Sequence, residues 1–551
     1  MELNLQNKIN QAHSTASTNF SDAFVEFESI YSIFKNHSAK NKKTIFYSYF
    51  EENHKTANYT FQEFDDKVVQ FSQYFESIGL KRGDRIATAG YNHPDPVLVY
   101  LAAWKIGLCV VPLNMGEDDN RLKYILSNSN PKLVVALEKE YQKIRILCPE
   151  QEIVLNTELH LFQGNPEDTL SKVKLSDSEA LLIYTSGTTG NPKGVILTQY
   201  NLVVDANSIT KWFGITSKDI VMCVLPIHHV NGAVVTHVAP FISGASVVLV
   251  KKFSANHFFE IAKKENVTVS SVVPTLLQFL VQSEFQSGKI QTELRFLICG
   301  AGPLTVELAM NFENKFGIPV MHGYGLSETT CYSCFLPADL THNEHKRWLG
   351  EFGFPSIGIS IPSNEMDIQD DSGKSLNENE RGEIVIRGHN VMKEYYDNED
   401  ANKKAFEFGW FRSGDEGFFR FDEQGRKFFF ITGRFKELII RGGINLSPLE
   451  IDEVINKCPG VKAGISVAFE NDWYGEEVGA FVQKSDQNVT EADIILFCKK
   501  KLPFMKQPKA IVFGDSIPVT STGKFQRNKV KHLFSEWKTV QFKEMEKIKT
   551  K

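Results

Sequence analysis

Short apolar runs alternate with longer amphipathic stretches over the first three-quarters of the chain. Examples are Arg85-Ile-Ala-Thr-Ala, Leu133-Val-Val-Ala-Leu, Ala180-Leu-Leu-Ile-Tyr, Ala245-Ser-Val-Val-Leu-Val and Phe296-Leu-Ile-Cys. Most of these are continuous runs, without the in-out alternation of a half-exposed strand, so they predict strands covered on both faces, as in a parallel sheet flanked by helices. The pattern gives an α/β fold class with largely parallel sheets. One helix start is marked locally: in Thr60-Phe-Gln-Glu63 the hydroxyl can cap the Glu63 amide while the carboxylate reaches back to the Thr60 amide, predicting a helix over 60–77.

From about Gly382 the pattern changes to strands separated by charged turns: Glu383-Ile-Val-Ile-Arg, Lys427-Phe-Phe-Phe-Ile-Thr and Glu437-Leu-Ile-Ile-Arg. This is the β-rich part of a large N-terminal domain, taken as residues 1–433. Beyond a hinge at 434–436, a helix over 448–457, strands at Gly464-Ile-Ser-Val-Ala and Gly479-Ala-Phe-Val-Gln, and a helix over 491–501 describe a small, mobile α+β domain, 434–551.

Composition narrows the function classes. A chain of 551 residues exceeds one ordinary core, and 42% hydrophobic with 23% charged residues excludes fibrous and disordered classes. The formal net charge of −6 supplies no positive field for nucleic acid or an anionic membrane, so an anionic ligand has to be held by local groups. Eight scattered cysteines lack disulfide-scaffold density, and neither terminus carries an address, which makes the cytoplasm the expected location. Residues 220–250 lack Lys, Arg, Asp and Glu but contain His228, His229, His237, Pro226 and Pro240, so no transmembrane segment is expected there. The basic tail 529–551 spaces Leu533, Phe534, Trp537, Phe542 and Ile548 among lysines, which fits a solvated end or an amphipathic helix on a membrane or partner. Cys331-x-x-Cys334 has no second pair at metal spacing, and a zinc site is not expected.

The strongest chemical signal is Tyr184-Thr-Ser-Gly-Thr-Thr-Gly-Asn-Pro-Lys-Gly194, directly after a buried apolar run. Its glycines permit close backbone approach; Thr185, Ser186, Thr188 and Thr189 around Gly187 offer hydroxyls; Lys193 adds a mobile cation. A polyphosphate suits this set. Pro192 stands where a Walker loop needs its second glycine, and no Lys-Ser/Thr pair follows, so P-loop and kinase readings fall.

Further segments follow in order: Leu225-Pro-Ile-His-His-Val-Asn-Gly232, Gly300-Ala-Gly-Pro-Leu304, His322-Gly-Tyr-Gly-Leu-Ser-Glu-Thr329, Arg381-Gly-Glu-Ile-Val-Ile-Arg-Gly388, Gly409-Trp-Phe-Arg-Ser-Gly-Asp415, Thr432-Gly-Arg-Phe-Lys-Glu-Leu-Ile-Ile-Arg-Gly-Gly443 and Pro518-Val-Thr-Ser-Thr-Gly-Lys524. With the phosphate loop, this ordered set resembles the adenylate-forming enzyme superfamily, in particular acyl-CoA synthetases of the fatty-acid and 4-coumarate ligase kind. The resemblance implies an ATP-dependent, AMP-forming acid–thiol ligase that uses ATP, Mg²⁺ and coenzyme A. It places Tyr324, Gly325 and the Gly300-Ala301-Gly302 turn against adenine, Glu328 (with Thr185) at Mg²⁺ beside Ser327, and Asp415 and Arg434 on the ribose. Lys524, His229 and Glu328 are implied as catalytic, and Lys436, Gly442 and Gly443 as ligand-contacting positions of the small domain. Lys524 would stabilise charge as a carboxylate attacks the α-phosphorus. Gln199 and His228 depart from the family pattern and are expected to alter polarity near the pocket.

Relatives that activate α-amino acids carry an Asp in the segment matching 225–235; here Asn231, Gly232 and Val235 leave an ammonium unpaired. A non-amino carboxylic acid, fatty or aryl, is expected in a pocket floored by residues 230–235, Gly302, Thr329, Thr330 and Cys331. The acceptor is CoA or an acyl carrier protein. Luciferase-like oxidation of the adenylate and a degenerate nucleotide-binding protein are the rivals.

Overall fold

The computed structural model describes residues 4–15, 26–164, 174–185, 191–285, 291–519 and 525–543. Among these residues the strands form four sheets. The largest runs parallel through Ile45–Glu51, Ser246–Val250, Ile220–Cys223, Val269–Val272, Phe296–Cys299 and Val320–Tyr324, with antiparallel strands at its edges. A second is parallel through Ile153–Leu155, Leu133–Ala136, Arg85–Gly90, Cys109–Asn114 and Glu179–Thr185, then antiparallel through Lys193–Thr198 and Glu394–Tyr395. The strands expected from continuous apolar runs are all present, and their central residues are buried.

The helix Phe61–Ser77 starts with the reciprocal Thr60/Glu63 cap read from the sequence. Its buried face carries Phe61, Phe64, Val68, Phe71 and Phe75, and Phe34, Phe46, Phe61, Phe64 and Phe241 form one aromatic cluster. Truncating such a ring to Ala costs about 3–5 kcal/mol.

The β-rich part is an antiparallel sheet of Asn364–Gln369, Gly382–Gly388, Phe411–Phe421 and Lys427–Arg434. After the turn Phe435–Glu437 comes the small unit: strands Ile439–Arg441, Ile444–Leu446, Val461–Asn471, Gly475–Lys484 and Ala510–Phe513, and helices Pro448–Asn456 and Glu491–Lys499. Residues from Ile439 onward pack into two apolar clusters of their own, apart from the core that runs through both large sheets to Phe430.

Two expectations change. The tail is not a free amphipathic helix as far as it is described: Lys531–Trp537 is a 3₁₀-helix whose Phe534 is fully buried against Phe469, with Trp537 and Phe542 packed on the same cluster. Gln199 does not face a pocket. It is wholly buried, accepts from the Ile30 amide and donates to the Trp104 carbonyl, so it ties the start of the helix Ile30–Lys40 to the core. Residues 220–250 fold as strand, π-helix, α-helix and strand, and among the described residues no helix is long and apolar enough to cross a membrane.

Candidate active site

Thr185 and Lys193 face each other in register at the loop end of an antiparallel hairpin, where the Thr185 hydroxyl donates to the Lys193 carbonyl at 3.5 Å. The phosphate loop is therefore a hairpin connection between two strands; Ser186, Gly187, Thr188 and Thr189 lie outside the described residues. The Lys193 ammonium sits 4.6 Å from the centre of the Tyr395 ring, and the Tyr395 hydroxyl donates to Glu328 at 2.7 Å. Glu328 is held on the turn Ser327–Thr329, whose Glu328 carbonyl accepts from the Met392 amide. Tyr395 reaches this place because its strand pairs with Val195 and Ile196, just beyond Lys193. No local sequence signal marked Tyr395; only strand pairing brings it to Glu328.

Lys193 has its pKa lowered, first by burial and then by the charge of Lys436, with Glu328 opposing and Lys404 adding to the shift. Cations from the hairpin, the turn Phe435–Glu437 and residue 404 thus crowd one carboxylate, an arrangement that an oxyanion chain such as a triphosphate would relieve. The donor set also fits Mg²⁺: a carboxylate from Glu328, with the Thr185 hydroxyl on the hairpin, are the hard oxygens that ion takes. A lowered folded pKa means that the unfolded chain binds the proton more tightly. Between that lowered value and the ordinary 10.5, stability rises with pH, and below it the full cost of burial and of the Lys436 repulsion is present. Lys436→Ala should therefore raise the melting temperature of the ligand-free protein at neutral pH, by the equivalent of about 0.2–1 kcal/mol, while weakening ATP binding. A calorimetric melt and an ATP titration check the two signs; a loss in both would remove Lys436 from this cluster.

The residues expected at the nucleotide are positioned by two adjacent parallel strands. Phe296–Cys299 pairs with Val320–Tyr324, so the turn at Gly300, Ala301 and Gly302 leaves the sheet next to Tyr324. The fit is tight: a Cβ on Gly300 would lie 2.7 Å from the Gly323 carbonyl, and one on Gly325 2.1 Å from the Cys331 carbonyl. Ala301 adopts φ +63°, a strained value for a non-glycine residue. Asp415, 1% exposed, pairs in register with Arg434, whose Nε donates to it at 2.8 Å, and the Tyr324 hydroxyl donates to its other oxygen at 2.7 Å. The Asp415 charge holds the Arg434 guanidinium firmly protonated. Each Asp415 oxygen keeps a second lone pair for a ribose hydroxyl. Ala301, Gly302, Tyr324, Gly325, Asp415 and Arg434 line one cavity of about 920 Å³, which also touches Pro518, Val519, Phe525 and Arg527 of the small unit.

On the acid side, Asn231 begins the π-helix Asn231–Val238, a form concentrated at functional sites. The His229 ring lies against that of His228, tilted by 58° with ring centres 4.3 Å apart, and the His229 carbonyl accepts from the Ala233 amide. Val235 is fully buried in that helix. The floor is more polar than the expected small apolar lining. Asn231 donates to the Tyr332 hydroxyl at 3.0 Å, and Thr330, at φ +65°, donates to the Asn390 carbonyl at 2.6 Å. Asn390 donates in turn to Asp205 and to the carbonyls of Thr329 and Tyr332. Asp205 is buried among these groups, and burial pushes its carboxyl well up toward the neutral form. Tyr332, Asn390 and Asp205 were not singled out from sequence. Cys331 and Cys334 are both buried, and among the described residues no cluster of three metal-ligating side chains occurs.

The small unit presents its two glycine-bearing segments differently. Gly442 and Gly443, at φ +57° and +81°, turn a hairpin whose flanking Ile440 and Ile444 are about half exposed, and neither glycine lines the cavity. Lys524 lies outside the described residues, but Val519 and Phe525, which bracket its segment and pair across it, both line the cavity.

The model described as AMP-binding enzyme matches residues 34–396, and that described as AMP-binding enzyme C-terminal domain matches residues 450–524. The chain is 33% identical over 483 residues to the oxalate–CoA ligase of Arabidopsis thaliana, which spans 84% of this chain and 91% of that one. The crystal structure of ATP-bound MatB from Rhodopseudomonas palustris superposes with a TM-score of 0.82 at 25% identity, covering 92% of this chain and 99% of the other. The o-succinylbenzoate CoA synthetase MenE of Bacillus subtilis, in complex with its acyl-adenylate intermediate, gives 0.78 at 26% identity over 91% and 97%. The chain therefore belongs to the AMP-binding enzyme family of the adenylate-forming superfamily, and is an AMP-forming acid–thiol ligase that uses ATP and coenzyme A.

Proposed function

We propose that this ligase activates a non-amino carboxylic acid. The acid's carboxylate attacks the α-phosphorus of ATP and pyrophosphate departs; a thiolate then attacks the acyl carbonyl, and AMP leaves as the thioester forms. The observation that carries the choice of acid is the lack of any Asp or Glu from Ile220 to Val250, the stretch containing the π-helix. Asp205, a buried carboxyl linked to Tyr332 through Asn390, is no substitute: it is engaged by Asn390 and the Tyr332 amide and held toward neutrality by burial. An ammonium placed there costs several kcal/mol without a partner. Asp415 and Arg434 are assigned to the ribose, Tyr324 and the Gly300–Gly302 turn to adenine, and Lys193, Thr185 and Glu328 to the phosphates and Mg²⁺. His229 and Thr330 stand toward the acid, and Lys524 stabilises charge in the first step.

Pyrophosphate release with a carboxylic acid lacking an ammonium should exceed that with any free α-amino acid by at least about 100-fold in kcat/KM, the equivalent of the unpaired charge. A preference for an amino acid would overturn this reading. A cytoplasmic site of action fits the eight cysteines, none of which is in a disulfide. Comparison of CoA with a phosphopantetheinylated carrier protein in the second step tests whether a carrier thiol is accepted as well.

A further inference from the structure

Buried polar atoms on the acid side without a hydrogen-bond partner among the described residues include Oδ1 of Asn231, a residue 6% exposed, and Nε2 of His228, besides Oδ2 of Asp205 and Oδ1 of Asn390 in the network already described. Each such orphan costs about 1–3 kcal/mol in a folded protein, so a pair three residues apart needs a reason. Both are fixed in place. Gly232 packs so closely on Pro226 that a Cβ there would lie 2.3 Å from the Pro226 carbonyl, which pins the turn between His228 and the π-helix. The amide of Asn231 is anchored by its donation to Tyr332, and the Tyr332 hydroxyl lies 2.7 Å from where a Cβ on Gly300 would stand. Asn231 and Tyr332 therefore sit beside the Gly300–Gly302 turn, two residues of which line the cavity, on the side proposed above for the acid.

We infer that the acid carries a neutral hydrogen-bonding group, a hydroxyl, on its acyl part, and that Asn231 and His228 recognise it. This rests on the proposed acid-activating function and deepens it. A hydroxyl donates to the Asn231 carbonyl oxygen and shares its other hydrogen-bonding capacity with the imidazole. Burial lowers the His228 pKa to about 4, so its ring is neutral at physiological pH and supplies no charge to a second carboxylate. Residues 220–250, 300–305 and 327–335 contain no Lys or Arg, so an anionic far end would be desolvated without a counter-ion. A plain alkyl or aryl end leaves both atoms orphaned, and sites built to bond a hydroxyl discriminate strongly against analogues without one.

The test uses the full chain with Mg·ATP and reads initial rates of pyrophosphate release. The acids are hexanoate, 6-hydroxyhexanoate and adipate, butanoate, 3-hydroxybutanoate and succinate, and cinnamate, 4-hydroxycinnamate and 4-carboxycinnamate. The best acid should be a hydroxy acid, with kcat/KM at least about 10-fold above its unsubstituted partner. In Asn231→Leu, confirmed folded by its melting curve, that ratio should fall to near one. A best substrate that is unsubstituted or dicarboxylic overturns the inference from the wild-type protein alone, as does a ratio unchanged in Asn231→Leu. His228→Phe gives a second reading should Asn231→Leu not fold, and an unchanged ratio there also counts against it. Absence of pyrophosphate release with every acid, in protein that binds ATP, would instead overturn the adenylation reading.

Discussion

Lys524→Ala is expected to reduce pyrophosphate release by about 100- to 1,000-fold, the range for removing one preorganised charge stabiliser, while leaving thioester formation from supplied acyl-adenylate nearly intact. The first step brings two anions together and needs a cation between them; the second, attack of a thiol on a mixed anhydride, does not. Gly443→Trp is expected to do the reverse, obstructing the thiol's approach and sparing pyrophosphate release. Both expectations rest on the proposal that the small unit alternates between two orientations. Val519 and Phe525, on either side of the Lys524 segment, line the nucleotide cavity, whereas the Gly442–Gly443 hairpin stands in solvent with Ile440 and Ile444 exposed. A rigid body cannot present both to one carbonyl, and the turn Phe435–Glu437 is placed to act as the hinge. Gly443 has a φ of +81°, so the Trp variant carries local strain of about 1–2 kcal/mol, confined to an exposed hairpin where a Cβ meets nothing within 4 Å. Equal damage to both half-reactions in each folded variant would rule out alternation.

The second large effect is on the nucleotide. Asp415→Ala should weaken ATP binding by about 1.5–3 kcal/mol, roughly 10- to 150-fold, as charged hydrogen bonds to the ribose are lost. The geometry adds a stability cost. The substitution leaves the buried Tyr324 hydroxyl without its acceptor, while Arg434, whose side chain is 40% exposed, can turn to water. Asp415→Asn keeps an acceptor for Tyr324 and separates the two contributions. Unchanged ATP affinity in a titration of folded Asp415→Ala would remove this carboxylate from the site.

Much of this was legible in the chain because its signals are local. The continuous apolar runs at Leu133, Ala180 and Phe296 could only be strands covered on both faces, and the Thr60/Glu63 cap fixed a helix start from four residues. The glycines of the turns expected at the nucleotide were readable because glycine at close approaches, as at Gly300 and Gly325, is demanded by sterics at that very position. The same locality misled elsewhere. Gln199 and the aromatic tail carry the same side chains whether they face ligand, solvent or core, and only packing against Ile30, Trp104 and Phe469 decided for the core.

What tertiary structure alone decided are the partnerships between distant strands and turns. Tyr395 reaches Glu328 because one short strand pairs with the hairpin after Lys193, and Lys436 depresses the Lys193 pKa across more than two hundred residues. The Asn390–Asp205–Tyr332 network and the orphaned atoms of Asn231 and His228 belong to the same class. Sequence determined the adenylate-forming chemistry of this chain, since that chemistry resides in short segments whose residue types are set by phosphate, ribose and backbone sterics. The surroundings of the acid were decided by the tertiary fold, because burial and hydrogen-bond satisfaction are properties of what lies across the gap, and no run of residues contains them.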